Sequence, residues 1–207
     1  MRTRLACVAL AAGLASVATA QPQCIDLGVV TDTSAVYDIP DLSFSSQPQA
    51  SGILWYCFSL AGGTSASGAF FDIDLHATGT AGQADTEIGL YDSLGNLIAN
   101  DDDDGHSLRS ALSFGNTTPR TQTPDPFGFT NGLAADGRDG NLNGGETYYL
   151  AVGLFNTTFG ATGWGVTSTS TALPAASTVN FRTDVVPAPA SLALIGLGGL
   201  VGGRRRR

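Results

Sequence analysis

The chain has 207 residues, of which 43% are apolar and only 14% are charged, and its formal net charge is -8 at pH 7. It contains no lysine, and between Gln21 and Asp184 four arginines face all 18 acidic residues. Such acidity argues against nucleic acid as a partner, because nucleic-acid binding depends on basic residues that neutralise phosphates. It favours solubility and the binding of divalent cations.

The first 20 residues have the pattern of a secretory signal peptide. Residues 1–4 carry positive charge, residues 5–17 are apolar, and Ala18 and Ala20 form the small-x-small pattern that signal peptidase recognises. We therefore expect cleavage before Gln21 and a mature chain that works outside the cytoplasm. Lipid attachment is not expected, because no cysteine directly follows this cleavage position.

Cleavage of the signal peptide would leave two cysteines, Cys24 and Cys57. In an oxidising compartment an even pair of cysteines is expected to form a disulfide. This bond would close a loop of roughly 30 residues and stabilise the fold by about 2 to 4 kcal/mol in the chain-entropy treatment. The alternative is two separate buried thiols.

Residues 21–184 are predicted to form one domain. Their apolar pattern has a period of two: in segment 71–76, Phe71, Ile73 and Leu75 alternate with polar residues. Further short strands, separated by glycine-rich turns, are predicted at Ile53–Leu60, Thr86–Tyr91, Asn96–Ala99, Ala111–Phe114, Thr147–Phe155, Gly163–Thr169 and Thr178–Arg182. The pattern predicts an all-β fold, an antiparallel β-sandwich or jelly roll, flanked by an N-terminal signal helix and a C-terminal hydrophobic helix.

A run of four aspartates, Asp101 to Asp104, directly follows one of the predicted strands. Adjacent carboxylates repel one another unless solvent or a shared cation screens them. Calcium takes about six to eight oxygen ligands, and the alternate residues Asp101 and Asp103 would offer two of them from one face of the loop. The alternative is a solvated acidic turn.

Aspartates from other strands would reach this loop if the hairpins stack, namely Asp72, Asp85 and Asp92. The candidate calcium ligands are Asp85, Asp101, Asp103 and Asp104. A second acidic segment, residues 139–144, matches the first half of an EF-hand loop. Its twelfth position is Leu150 and a strand is predicted to follow it, so a polar turn is the better interpretation.

Three segments of the body, taken in order, resemble the bacterial pre-peptidase C-terminal domain. They are the strand at 71–75, the strand, Gly-Asn hairpin and acidic loop at 84–105, and the Tyr-Tyr strand at 145–153. The chain departs from the family in a long insertion at 116–143 that is rich in Gly, Pro, Asn and Thr. The resemblance implies a β-sandwich accessory module of secreted proteins, with calcium or polymer binding in some members.

Catalytic patterns have little support in this sequence. The two histidines, His76 and His106, do not have metal-ligand spacing, and residues 105–109 do not match the nucleophile elbow of hydrolases. We therefore expect no enzymatic activity, and a hydrolase with paired carboxylates is the least favoured alternative. A sugar-binding platform would require exposed aromatic side chains, but aromatic residues on strands are usually core; the candidates are Trp55, Tyr56, Tyr148 and Trp164.

Residues 185–207 have the composition of a membrane-directed tail. The 19 residues from Val185 to Gly203 are uncharged, which is marginal for a bilayer span of about 20 residues. The cluster that follows, Arg204, Arg205, Arg206 and Arg207, would stay on the cytoplasmic side.

A short proline motif opens this tail: Val186, Pro187, Ala188 and Pro189. Together with the apolar segment and the arginines, it resembles the bacterial PEP-CTERM sorting signal, with Ala188 at the position of the usual glutamate. The resemblance implies processing by an exosortase-like membrane enzyme.

These features lead us to expect an exported protein of the cell surface or extracellular matrix, with a structural or adhesive role and an association with extracellular polysaccharide. The alternative is a carbohydrate- or matrix-binding module. The sequence does not specify a ligand.

Overall fold

The computed structural model describes residues 20–31, 37–38, 52–77, 85–122, 132–169, 177–184 and 186–187. Regular structure in these residues is almost entirely β-strand, which confirms the predicted all-β class. The predicted signal helix and C-terminal hydrophobic helix lie outside them.

The strands follow one another in chain order with short connections through much of the body. They are β1 (Ile25–Val30), β2 (Tyr37–Asp38), β3 (Leu54–Leu60), β4 (Gly62–Gly63), β5 (Phe70–Ala77), β6 (Thr86–Tyr91), β7 (Leu97–Asp101), β8 (Ala111–Gly115), β9 (Thr147–Leu154), β10 (Thr157–Phe159), β11 (Val166–Ser168), β12 (Ser177–Asp184) and β13 (Val186–Pro187).

Two larger sheets organise these strands. The five-stranded sheet has the order β1-β3-β9-β6-β7, and the four-stranded sheet has the order β2-β12-β5-β8. All pairings are antiparallel except that of β1 with β3, which is parallel. Two small sheets, β10-β11 and β13-β4, and an isolated bridge between Arg120 and Ala135 complete the described pairings.

One buried apolar cluster contains side chains from both larger sheets. At its centre the rings of Phe58 (β3), Phe71 (β5) and Phe181 (β12) contact one another, with centroids 4.9 to 5.3 Å apart. Because side chains alternate between the faces of a strand, Phe71, Ile73 and Leu75 all point into this cluster and are fully buried. The two sheets therefore share a core.

Parts of the outer faces of the two sheets are also covered. Asp72 and Asp74 alternate with the core residues of β5, yet both are only 5% exposed. The insertion reaches this face where Arg120 pairs with Asp72. It also runs along the edge of β8, since Asp139 N–H donates to Ser113 O (2.9 Å) and Gly115 N–H donates to Gly140 O (2.7 Å). The insertion thus protects the outer edge of β8 and buries polar groups that the alternation alone would leave in solvent.

The β10-β11 hairpin covers the outer face of the five-stranded sheet. Its Phe159 packs where Gly89 leaves room, because a Cβ added to Gly89 would lie 2.4 Å from Phe159 Cδ1. This explains why β6 is buried on both faces along its whole length.

Several predicted strand boundaries differ from the structure. The predicted Gly163–Thr169 strand is reduced to β11, because Gly163 and Trp164 have positive φ angles of 72° and 58° and form a turn. The predicted Asn96–Ala99 strand begins one residue later and continues to Asp101. Strands β1, β2, β4, β10 and β13 were not predicted, since the last four have only two or three residues and β1 is irregular at Gly28.

Candidate functional site

The acidic loop begins where β7 ends. β6 and β7 are antiparallel neighbours, with Ile88 opposite Asp101, so the residue that precedes β6 lies near those that follow β7. Carboxylate oxygens of Asp85, Asp102 and Asp103 accordingly lie within 4.8 Å of one another. These three side chains form what we call the acidic cluster.

Backbone hydrogen bonds fix Asp85 in this cluster. Its carbonyl accepts a hydrogen bond from Phe155 N–H (3.0 Å), and the next residue, Thr86, donates its N–H to Leu108 O (3.0 Å). Asp85 is partly buried, whereas Asp102 and Asp103 are exposed. The cluster is therefore open to solvent on one side and held by the sheet on the other.

Burial and mutual repulsion both favour neutralisation of the negative charge on the acidic cluster, by protons or by a cation. Burial, followed by the charge of Asp103, raises the pKa of Asp85 above its ordinary value. Burial also raises the pKa of Asp102, and the charges of Asp103 and Asp85 add to this. A bound cation would relieve the same repulsion, because an opposite charge favours the ionised carboxylates.

Glu87 is a fourth acidic residue close to the cluster. It is 8% exposed, and its Oε1 accepts a hydrogen bond from Asn156 N–H (2.9 Å). Burial raises the pKa of Glu87, and the charges of Asp102 and Asp85 contribute to the same direction. Glu87 thus adds negative potential while its own oxygen stabilises the turn at Asn156.

Asp101 is placed differently from its prediction as a ligand. Its Oδ2 accepts hydrogen bonds from Asp104 N–H (3.0 Å) and Ala111 N–H (2.8 Å), so it closes the loop on itself. Burial raises the pKa of Asp101 to about 6. The alternation argument paired Asp101 with Asp103, but the chain bends after β7, and strand alternation does not apply in a bend.

Asp104 also lies outside the acidic cluster. Its Oδ2 forms an ion pair with Arg138, which is paired in turn with Asp136 Oδ1 (3.0 Å) and donates to the carbonyl oxygen of Ala134. Both Asp104 and Arg138 are partly exposed. Arg138 therefore links the acidic loop to the long insertion.

Asp72 and Asp92, which were expected to approach the loop, have other partners. Arg120 forms a bidentate pair with Asp72 (2.7 and 3.0 Å), and Ser113 Oγ donates to the same carboxylate (2.8 Å). Asp92 Oδ1 accepts hydrogen bonds from Leu94 N–H (2.9 Å) and Asn96 N–H (2.8 Å) in the β6-β7 turn. Asp72 thus links β5 to β8 and to the insertion, whereas Asp92 stabilises its own turn.

The segment resembling half of an EF-hand is a turn. Asp139 Oδ2 accepts a hydrogen bond from Ser113 N–H (2.6 Å), and burial raises the pKa of Asp139. β9 begins at Thr147, and its pairing with β3 runs from Thr147 to Val152. A strand, and not the helix of an EF-hand, therefore follows the turn. This arrangement agrees with the interpretation as a polar turn.

The aromatic candidates for a sugar platform pack as core. Tyr56 and Tyr148 are buried in the shared core, and Trp55 is buried in a second cluster with Tyr91 and Tyr149, against which the partly buried Trp164 packs. The Trp55 and Trp164 rings are 6.0 Å apart at an angle of 77°, which is an edge contact. A flat stacking surface for a sugar ring is not formed by these residues.

Cys24 and Cys57 are joined in a disulfide, with Cα atoms 5.6 Å apart and a sequence separation of 33 residues. The bond ties the segment before β1 to the middle of β3. Gln21 adds a side-chain hydrogen bond to Tyr149 Oη.

Sequence reasoning missed the roles of Asp102 and Arg138. The antiparallel register of two strands joined by a tight turn would have identified Asp102, because it places the start of β6 beside the residues that follow β7. The contact of Arg138 with Asp104 spans 34 residues and carries no comparable local signal.

Comparisons of the chain with protein families, with curated proteins and with solved structures find no match. In the part of the chain that the structure describes, none of the helices has the length and apolar character needed to cross a bilayer. Of the predicted sorting and signal residues, the structure describes only Ala20, Val186 and Pro187; Ala18, Ala188, Pro189 and Arg204 to Arg207 lie outside the described residues.

Proposed function

We propose that this chain is an exported, exosortase-sorted protein of the cell surface or extracellular matrix, and that its body is a calcium-stabilised β-sandwich with a structural or adhesive role. The observation that carries the proposal is the convergence of the Asp85, Asp102 and Asp103 carboxylates within 4.8 Å.

The shared core supports the sandwich architecture. Two sheets that bury their inner faces against each other have the general form of a β-sandwich. The contacts of Phe58 with Phe71 and Phe181 join the five-stranded sheet to the four-stranded sheet. The β10-β11 hairpin packs outside the five-stranded sheet, and the insertion packs outside the four-stranded sheet.

The chemistry of the acidic cluster supports calcium rather than a transition metal. Calcium prefers oxygen ligands, takes about six to eight of them and accepts irregular geometry. The cluster offers carboxylate oxygens, and its open side leaves room for water or for a ligand from another molecule. The hydrogen bonds of Asp101 and the Asp104–Arg138 ion pair hold the loop in place without consuming the oxygens of the cluster.

The structure favours this function over the two alternatives. The carbohydrate-binding alternative requires a flat aromatic platform, but Trp55 and Tyr149 are buried and Trp164 packs edge-on against both of them. A hydrolase is less well supported, since the chemistry needs a cleft that excludes water, whereas Asp102 and Asp103 are exposed on a loop.

Export and sorting rest on the sequence. The signal pattern of residues 1–20 directs export, and the motif at residues 186–189 with Arg204 to Arg207 directs processing. In a host that carries an exosortase-like enzyme, we expect replacement of the four terminal arginines by glutamine to cause accumulation of the unprocessed chain, measured by mass spectrometry of the membrane fraction. Equal processing of both chains would contradict the assignment.

Calorimetric titration of the purified full-length chain with calcium tests the site itself. We expect saturable binding that Asp102→Asn weakens at least about tenfold, because it removes one of the charged ligands. Glu146→Gln is the matched control, since it removes one exposed negative charge outside the cluster. Binding that is absent, or that both variants change equally, would contradict the proposed site.

A further inference from the structure

The structure pairs the first residues of the sorting motif with the body. β13 lies antiparallel to β4, with Val186 opposite Gly63 and Pro187 opposite Gly62. Only Val185 separates β13 from β12. All eight residues of β12 pair with β5. In the sequence, one residue therefore lies between the end of this long strand and the start of the motif.

β4 is itself anchored in the body. Beside it, Thr64 N–H donates to Leu142 O (2.9 Å), and Gly145 N–H donates to Leu60 O (2.7 Å). A Cβ added to Gly63 would lie 3.2 Å from both Gly144 N and Leu142 O, so glycine permits the close approach of these segments. β13 thus pairs with a fixed edge of the body.

We propose that this pairing withholds the sorting motif from its processing enzyme while β13 is bound to β4, so that processing requires β13 to separate first. The inference rests on the proposed sorting function. Enzymes and domains that recognise extended peptides bind them through backbone N–H and C=O groups. Backbone groups of Val186 and Pro187 that already face Gly62 and Gly63 are not free for such recognition.

The short length of β13 makes its separation easy compared with unfolding of the body. It has two residues, and Pro187 has no N–H to donate to the ladder. β12 is held by eight residue pairs and the buried ring of Phe181. Short elements with few hydrogen bonds open locally at low free energy, so β13 is expected to open while β12 stays paired.

Limited proteolysis of the folded full-length chain tests the pairing. Elastase cleaves after small apolar residues, and cleavage between Val185 and Val186 is followed by mass spectrometry. The reference is a synthetic peptide of residues 181–192, which has no β4 to pair with. We expect cleavage of the chain to be at least about tenfold slower than cleavage of the peptide, because Val186 must first be freed from its pairing with Gly63. Equal rates would overturn the inference.

A cross-strand disulfide provides a second test. Gly63 and Val186 are register partners, and directly opposite antiparallel positions have the short Cα separation that a disulfide requires, so the double variant is Gly63→Cys, Val186→Cys. We expect the oxidised double variant to be cleaved at least about tenfold more slowly than the wild type and to recover on reduction. Gly63→Cys alone, with and without the same reductant, controls for the crowding at Gly63 and for reduction of Cys24–Cys57. An engineered disulfide that leaves the rate of elastase cleavage unchanged would contradict the role of the pairing.

Processing in cells separates this inference from the sorting function. A chain that is processed in the host but shows no protection in proteolysis would overturn the inference and leave the sorting function standing. A chain that is protected but never processed would overturn the sorting function and, with it, the role given to the pairing.

Discussion

Tyr56 brings a polar hydroxyl into the shared core. The residue is fully buried, and none of the described residues supplies a hydrogen-bond partner for its Oη. Burial raises the pKa of its phenol, so the group stays neutral. We predict that Tyr56→Phe increases the free energy of unfolding by about 1 kcal/mol, because an unsatisfied buried hydroxyl costs free energy. Urea denaturation measures the difference; a loss of stability would show that the hydroxyl has a partner.

Asp101 makes a pH-dependent contribution to stability. Burial raises its pKa in the folded chain from 3.8 to about 6, so the folded state binds the proton more tightly than the unfolded state. The contribution of Asp101 is therefore fully present below pH 3.8 and is lost as the pH rises through about 6. After allowance for solvent screening, this amounts to about 1 to 2 kcal/mol.

Asp101→Asn should remove this contribution, because asparagine can accept the same backbone hydrogen bonds but does not titrate. We predict that the free energy of unfolding, measured in EDTA between pH 4 and about pH 7, falls less steeply in the variant than in the wild type. Glu146→Gln should leave the wild-type slope unchanged. Identical slopes for Asp101→Asn and the wild type would contradict the assignment to Asp101.

At the scale of single residues, the sequence identified which side chains interact better than it identified the residues that they contact. It identified the aspartate run, but its assignment of Asp101 and Asp104 to a metal was based on alternation and proximity. Their partners, Ala111 and Arg138, are set by the bend after β7 and by the insertion. Such contacts depend on tertiary packing, which has no local pattern in the chain.

At the scale of elements, the β10-β11 hairpin depends on glycine in the strand beneath it. Gly89→Ala would place a Cβ 2.4 Å from the Phe159 ring, so the ring and the hairpin must shift. We predict a loss of about 1 to 3 kcal/mol in the free energy of unfolding. In a Phe159→Ala background the same substitution should cost much less, because the clashing ring is gone. Equal costs in both backgrounds would show that Gly89 is required for another reason.

The sequence predicted the long, strongly alternating strands and was weaker on short elements. Thr86–Tyr91 has the predicted bounds, and the predicted Thr147–Phe155 strand ends one residue early at Leu154. β1 was missed because Gly28, with a φ of 74°, interrupts its ladder with β3 between Asp26 and Val29. Pairing with a distant strand, and not local periodicity, makes this segment a strand.

At the scale of the whole molecule, the Cys24–Cys57 disulfide supports an edge strand that the sheet holds weakly. Irregular parallel pairing joins β1 to β3, and the bond lies at the start of this pairing. We predict that replacing both cysteines by serine lowers the free energy of unfolding by about 2 to 4 kcal/mol. Denaturation of the oxidised wild type, the reduced wild type and the double variant measures this. A double variant as stable as the oxidised protein would contradict it.

The proposed function depends most directly on calcium as a ligand of the native acidic cluster. A ligand that binds only the folded state stabilises it by mass action, by about 2.7 kcal/mol at 100 times its Kd. The decisive measurement is the thermal midpoint of the full-length chain in calcium and in EDTA, for the wild type, for Asp102→Asn with Asp103→Asn, and for Glu146→Gln. We predict a rise of roughly 5 to 10 °C in calcium for the wild type and Glu146→Gln, and none for the cluster variant. An unchanged wild-type midpoint would contradict the account and make residues 101–104 a solvated acidic turn.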